Sequence, residues 1–165
     1  MKKKQVDLST LVKSAISTFQ PQAAAKHQTL NVTTTGHCQI EGDAERLSQV
    51  LENLLSNAIK FTPPGKEIEI ALECCAHLVR TSIKDAGPGL TADDQTRLFT
   101  RFQRLSARPT GGESSTGLGL SIVKDLIELH GGRVGAKNHP HGGSIFWFEL
   151  PRGMKNEELR MKNEE

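Results

Sequence analysis

The chain has 165 residues, 36% hydrophobic and 24% charged, which is ordinary for one globular domain with a core of its own. Its net charge of +2 gives no basic footprint for nucleic acid, and 4% aromatics with no tyrosine leave few platforms for stacking bases. No run approaches the roughly 18 apolar residues of a membrane span.

The start Met1-Lys2-Lys3-Lys4 is followed by Gln5-Val6-Asp7 rather than an apolar stretch, so it does not read as a signal peptide. After Asp7, a fair N-cap, Leu8, Leu11, Val12, Ala15, Ile16 and Phe19 fall at helical spacing. They predict a helix over 8–26, with a bend near Pro21. Residues 30–35 and 38–41 are short β-prone runs joined by Gly36-His37, which predict a hairpin. Asp43 then caps a helix over 44–60, whose leucines at 47, 51, 54 and 55, with Val50 and Ala58, form one apolar face. Asn53, Asn57 and Lys60 share a different stripe of that helix, and Thr62-Pro63-Pro64-Gly65 ends it. Glu52 lies off the stripe and is given no catalytic role.

Residues 67–75 and 77–84 alternate and predict a second hairpin. Asp85-Ala86-Gly87-Pro88-Gly89 follows, and a long segment over 86–115 carries one short helix, about 92–101, with Leu98, Phe99 and Phe102 on one side. A connection this long in a compact domain is functional or mobile. Residues 116–129 predict another helix, ended by Gly131-Gly132. Strands over 133–137 and 144–150 close the domain. The tail over 154–165 repeats Met-Lys-Asn-Glu-Glu and reads as charged and solvated, or as a linker. This order of elements predicts an α/β, or α+β, two-layer sandwich: one sheet covered by helices.

An acid at a strand end followed by two glycines marks a close turn around a ligand, since glycine lets backbone and ligand approach. Gly87 to Ala92 fits the dinucleotide fingerprint G-x-G-x-x-G/A, but no hydrophobic parallel strand follows to complete a Rossmann unit. No P-loop motif occurs. Thr116-Gly117-Leu118-Gly119-Leu120 opens an apolar helix, where free N–H groups suit a phosphate. Asn53 and Asn57 offer neutral oxygens to Mg²⁺, which takes few protein ligands, and Lys60 offers a point charge beside phosphates. Each feature alone also has a plain structural reading, as a solvated face, a turn or a cap. Three cysteines, Cys38, Cys74 and Cys75, form neither a disulfide framework nor a zinc pattern, and read as small core or strand residues in a reducing cytosol. The six histidines read as surface and turn residues.

Four stretches in order resemble the ATP-binding catalytic domain of bacterial sensor histidine kinases, in the superfamily shared with gyrase B and MutL. Residues 52–63, Glu-Asn-Leu-Leu-Ser-Asn-Ala-Ile-Lys-Phe-Thr-Pro, resemble the N box. Residues 85–89 resemble the G1 box, 98–102 (Leu-Phe-Thr-Arg-Phe) the F box and 116–123 the G2 box. The likeness runs collinearly from about Val6 to Pro151. It implies a Bergerat-type sandwich, a mixed sheet of about five or more strands with three helices on one face. It implies a catalytic domain over 1–153 with an ATP lid at about 86–115. It implies Asn57 as the Mg²⁺ ligand, with Asn53 and Lys60 near the phosphates and Asp85 on the adenine amino group. Gly87 and Gly89 would let the chain pass the base. Thr116, Gly117, Leu118, Gly119 and Leu120 would line the triphosphate, and Phe99 and Phe102 would anchor the lid.

The activity implied is transfer of the ATP γ-phosphate to a histidine on a separate dimerisation and phosphoacceptor domain, with a response regulator downstream. The implied setting is a cytoplasmic, monomeric domain, without nucleic-acid or membrane contact, whose full-length protein is sometimes membrane-anchored. Two departures stand out. Ser115 replaces a third glycine common in the family, and no histidine here sits in a His-Glu/Asp-x-x-x-Pro motif. The chain is therefore expected to need that histidine in trans. A serine protein kinase of the anti-sigma type and a non-catalytic nucleotide-sensing or docking module are the alternatives.

Overall fold

The computed structural model describes residues 1–100 and 119–152. Phe102, Thr116, Gly117 and Leu118, and the tail over 154–165, lie outside the described residues. The elements in order are β1 (Lys4–Asp7), α1 (Leu8–Ala25), β2 (Thr29–Thr34), β3 (Gln39–Gly42), α2 (Ala44–Phe61), β4 (Glu67–Cys74), β5 (Leu78–Lys84), α3 (Ala92–Arg97), α4 (Gly119–Leu129), β6 (Arg133–Asn138) and β7 (Ser144–Pro151).

Five strands form a mixed sheet in the order β2-β4-β5-β7-β6, with β2 parallel to β4 and the other neighbours antiparallel. Alternation along the strands decides the faces. Ile68, Ile70 and Leu72 of β4, Val79 and Ile83 of β5, and Phe146, Phe148 and Leu150 of β7 point inward and are buried. They meet the apolar faces of α1, α2 and α4, so one face of the sheet carries the helices and the core lies between the layers. The centre of that core is α2: Leu47, Leu51, Leu54 and Leu55 are all at most 3% exposed, and cutting such a leucine to alanine costs about 2–5 kcal/mol. On the opposite face the Trp147 ring lies over Gly135, where an added Cβ would come within 2.2 Å of the indole, and the Arg80 guanidinium stands 4.5 Å from its centroid.

The helix starts are built as their sequences dictate. Asp7 accepts the Ser9 N–H at 3.0 Å, and Asp43 accepts those of Glu45 and Arg46 at 3.1 and 3.3 Å. The long α1 continues through Pro21 to Ala25. Its end is tied to the end of α2. The Lys26 ammonium donates to the carbonyls of Ile59 and Lys60 at 2.7 and 3.2 Å. The Gln28 amide donates to those of Ile59 and Thr62 at 3.0 and 2.7 Å. A cation on the last carbonyls of a helix complements its dipole.

Three expectations are corrected. The β2–β3 hairpin does not form. Instead β2 adds parallel to β4, with Leu30 opposite Ile68, and β3 pairs with β1 in a separate two-stranded sheet, with Val6 opposite Ile40. The turn at Gly36 sends the chain away, because Thr35 is fastened to β4 through its N–H on Leu72 O and its hydroxyl under Cys74 N–H. His130 is a core residue rather than a surface one, 5% exposed. Its Nδ1 meets Leu126 O at 2.7 Å, and its Nε2 takes the Asp43 N–H at 3.0 Å, joining the end of α4 to the start of α2. Cys38 is in the core and Cys74 ends β4, but Cys75 is exposed and follows the strand, so it is neither a core nor a strand residue.

Candidate nucleotide site

Asp85 leaves the end of β5, the central strand of the sheet. It is 3% exposed. Its N–H donates to Ser144 O at 2.9 Å. Its Oδ1 accepts the N–H groups of Gly87 and Ser144 at 2.9 and 3.1 Å. Among the described residues nothing bonds to Oδ2. Burial pushes the carboxyl above its ordinary pKa, opposed by those two N–H donors. One oxygen is thus fixed by the fold, and the other is left to accept from a bound donor.

The turn after Asp85 is wedged against the end of α2. Ala86 N–H donates to the buried Thr62 hydroxyl at 3.2 Å. A Cβ on Gly87 would lie 2.7 Å from Phe61 O, so no side chain fits there whether or not a base is bound. Gly89 has φ +88°, a left-handed conformation that suits glycine.

Asn53 and Asn57 lie half-buried on α2, and the buried Nδ2 of each has no hydrogen-bond partner among the described residues. A buried amide without a partner is costly, and a ligand that bonds to it removes that cost. Turning such an amide presents its oxygen instead, so the donor set fits Mg²⁺. Lys60 is half-buried further along α2. Gly119, at the start of α4, comes close to Asn53, with a Cβ position 3.9 Å from its Cγ. Leu120 and Phe99 are partly buried against the core. Along α2, from Asn53 beside α4 to Phe61 beside the Asp85 turn, the rise is roughly 12 Å. The expected residues Asn53, Asn57, Asp85, Gly87 and Gly119 are therefore brought to the second half of one helix, with the acid by its last residue and the start of α4 beside Asn53.

Other residues of this site were not singled out from the sequence. Thr62 reads only as a helix stop, and Gly142-Gly143 only as a turn. Asn138 reads as loop but is the last residue of β6. Gly143 has φ +83°, and a Cβ on it would come within 2.1 Å of Asp85 O. The doubled glycine before a strand was the available signal; nothing local shows that it abuts residue 85.

Residues 42–154 match the family described as histidine kinase-, DNA gyrase B- and HSP90-like ATPases. The chain belongs to that family. Sensor histidine kinase TmoS of Ectopseudomonas mendocina is 38% identical over 150 residues, 90% of this chain and 15% of TmoS. The catalytic domain of histidine kinase ThkA, solved nucleotide-free, superposes with a TM-score of 0.81 at 27% identity, covering 94% of this chain and all of that one. ThkA is also solved in complex with response regulator protein TrrA, with a TM-score of 0.78 at 27% identity, over 92% of this chain and 42% of that one. Full-length ShkA in complex with AMPPNP gives a TM-score of 0.80 at 30% identity, over 94% of this chain and 32% of ShkA. This ATPase-family chain is similar to the catalytic portions of these kinases, and it spans well under half the length of curated relatives such as TmoS. No described helix is long and apolar enough to cross a membrane.

Proposed function

We propose that this chain binds Mg·ATP and transfers its γ-phosphoryl group to a histidine nitrogen on a separate phosphoacceptor domain. The observation that carries this is the alignment of two buried asparagine amides on α2, unpartnered among the described residues, with the buried, half-satisfied Asp85 carboxylate beside the end of that helix. Asp85 Oδ2 accepts the adenine amino group. Asn53, Asn57 and Lys60 lie along the phosphates, and the start of α4 supplies N–H groups to them. Mg²⁺ held at Asn57 would neutralise charge on the phosphate oxygens. Gly117, Leu118 and Thr116 complete the phosphate loop in this proposal, and Phe99 and Phe102 anchor the lid over about 86–115.

In the transfer, a bond forms between the imidazole nitrogen and the γ-phosphorus. The bond from that phosphorus to the β–γ bridging oxygen breaks, ADP leaves with that oxygen, and the imidazole proton passes to solvent or to a carboxylate of the partner domain. The protein's part is positioning and charge neutralisation. The relatives' names and the titles of the ThkA and ShkA complexes support a two-component kinase, with a response regulator as the downstream partner.

The test is incubation with radiolabelled ATP, with and without a purified phosphoacceptor domain of a sensor kinase. Label should appear only on the added domain and should be acid-labile, as a phosphorus–nitrogen bond is. Acid-stable label would point to a serine kinase. Nucleotide binding without transfer to a competent domain would point to a sensing or docking module. Strong self-phosphorylation on a histidine of this chain would overturn the trans requirement.

A further inference from the structure

The turn over 85–90 is fastened at both ends to one hairpin, that of β6 and β7. At its front, the Asp85 N–H donates to Ser144 O, and the Ser144 N–H donates back to Asp85 Oδ1. At its back the fastening is a side chain. Asn138 Oδ1 accepts the Leu90 N–H at 2.7 Å, and Asn138 Nδ2 donates to Leu90 O at 2.9 Å. This reciprocal pair imitates a rung of a β-ladder where no strand exists.

The sequence demands of this clamp are narrow. Aspartate has the acceptor but not the donor, serine has a single polar atom, and glutamine is a methylene longer. Gly89 is part of it: a Cβ there would lie 3.0 Å from Asn138 Oδ1. Asn138 is otherwise exposed, so water can satisfy Leu90 when the side chain is cut. What is lost is the position of the turn, not the bonding of its peptide groups.

We propose that Asn138 is the positioning residue for base recognition: by clamping Leu90 to the β6–β7 hairpin, it holds the Asp85 carboxylate where the exocyclic amino group of a purine can reach it. This inference rests on the assignment of Asp85 to the adenine amino group. Asn138 touches no nucleotide and acts through the turn.

The test is the affinity of the whole chain for ATP and for inosine triphosphate, whose base carries an oxygen in place of the amino group. Each is measured by calorimetry with magnesium, alongside the thermal midpoint. One charge-assisted hydrogen bond should give the unmodified chain a preference for ATP of roughly ten- to a hundredfold. Asn138→Ala should bring that ratio to within about threefold, by weakening ATP and leaving inosine triphosphate nearly unchanged. Asn138→Asp, which keeps the Leu90 N–H acceptor and loses the donor, should fall between.

A merely structural role would lower the midpoint and weaken both nucleotides in parallel, leaving the ratio intact. An intact ratio in both variants overturns the proposal. If the unmodified chain binds ATP but shows no preference, or binds neither nucleotide, the Asp85 assignment fails first and the proposal falls with it.

Discussion

Replacing Asp85 by asparagine separates the part of this residue that serves the fold from the part that serves a ligand. The fold uses Oδ1, which accepts from Gly87 and Ser144. The carbonyl of the substituted amide can take over both bonds, which puts its amino group where Oδ2 was. A donor then faces the adenine amino donor. The cost to binding is one charge-assisted hydrogen bond, about 1.5–3 kcal/mol, or roughly ten- to over a hundredfold in affinity.

Stability should move the other way. Burial raises the Asp85 pKa above the ordinary 3.8, so the folded chain binds that proton more tightly than the unfolded one. The ionised carboxylate therefore costs the native state free energy. That cost appears as pH rises above the unfolded value and is fully present once pH exceeds the folded one. The neutral amide removes it. Calorimetric titration and a thermal scan at neutral pH should show ATP affinity falling by the stated factor, while the midpoint stays level or rises. An affinity within about threefold of the unmodified chain would refute the base contact. A midpoint falling by several degrees would refute the division of labour between the two oxygens.

Asn57→Ala should abolish the Mg²⁺ dependence of ATP binding, reducing affinity about tenfold or more with the metal and little without it. It should not lower the thermal midpoint, since it deletes a buried unpartnered amide and installs a better helix former. Titrations with and without Mg²⁺ check the first claim, and a thermal scan checks the second. Asp7, held down to about 2 chiefly by the Ser9 hydroxyl and further by His37 and the N–H groups of Ser9 and Cys38, should stabilise the chain by about 1–2 kcal/mol above pH 4, after discounting for solvent screening. Because its folded pKa is depressed, that contribution is lost as pH falls from its unfolded 3.8 toward 2, so the stability gap between Asp7→Ala and the parent should close over that window. Denaturant melts at several pH values measure it. The Cys38 thiol, pushed up to about 12 by burial and by the adjoining Cys74 thiol, should resist iodoacetamide at pH 8 while exposed Cys75 reacts. Peptide mapping that finds Cys38 labelled as fast as Cys75 would contradict the packing.

Local chemistry makes much of this protein legible before any coordinates. Asp7 and Asp43 announce the starts of α1 and α2. The leucine face of α2 needs only a period of 3.6, and the alternation in β4 and β5 only a period of 2. The acid-glycine turn, the asparagine stripe and the glycine-opened helix carry their chemistry in residue type and spacing, and their order down the chain carries the family. A short run of β-formers, however, states only that it will be extended. It does not state its partner, so local reading joins β2 to β3 although β2 pairs with β4. The charged, four-residue β1 gives no signal at all.

Pairings across long separations are decided in three dimensions. His130 is a core residue because the end of α4 meets the start of α2, which no neighbour of His130 in sequence reports. Asn138, Gly143 and Thr62 look like loop, turn and helix stop because those are their local roles. Their second role, gripping the turn that follows Asp85, exists only because β7 lies beside β5 and the end of α2 lies beneath the turn. Residue type and period determine which groups a chain can offer. Which of them meet is set by how the layers close over one core, where burial and hydrogen bonding are shared by residues far apart in sequence.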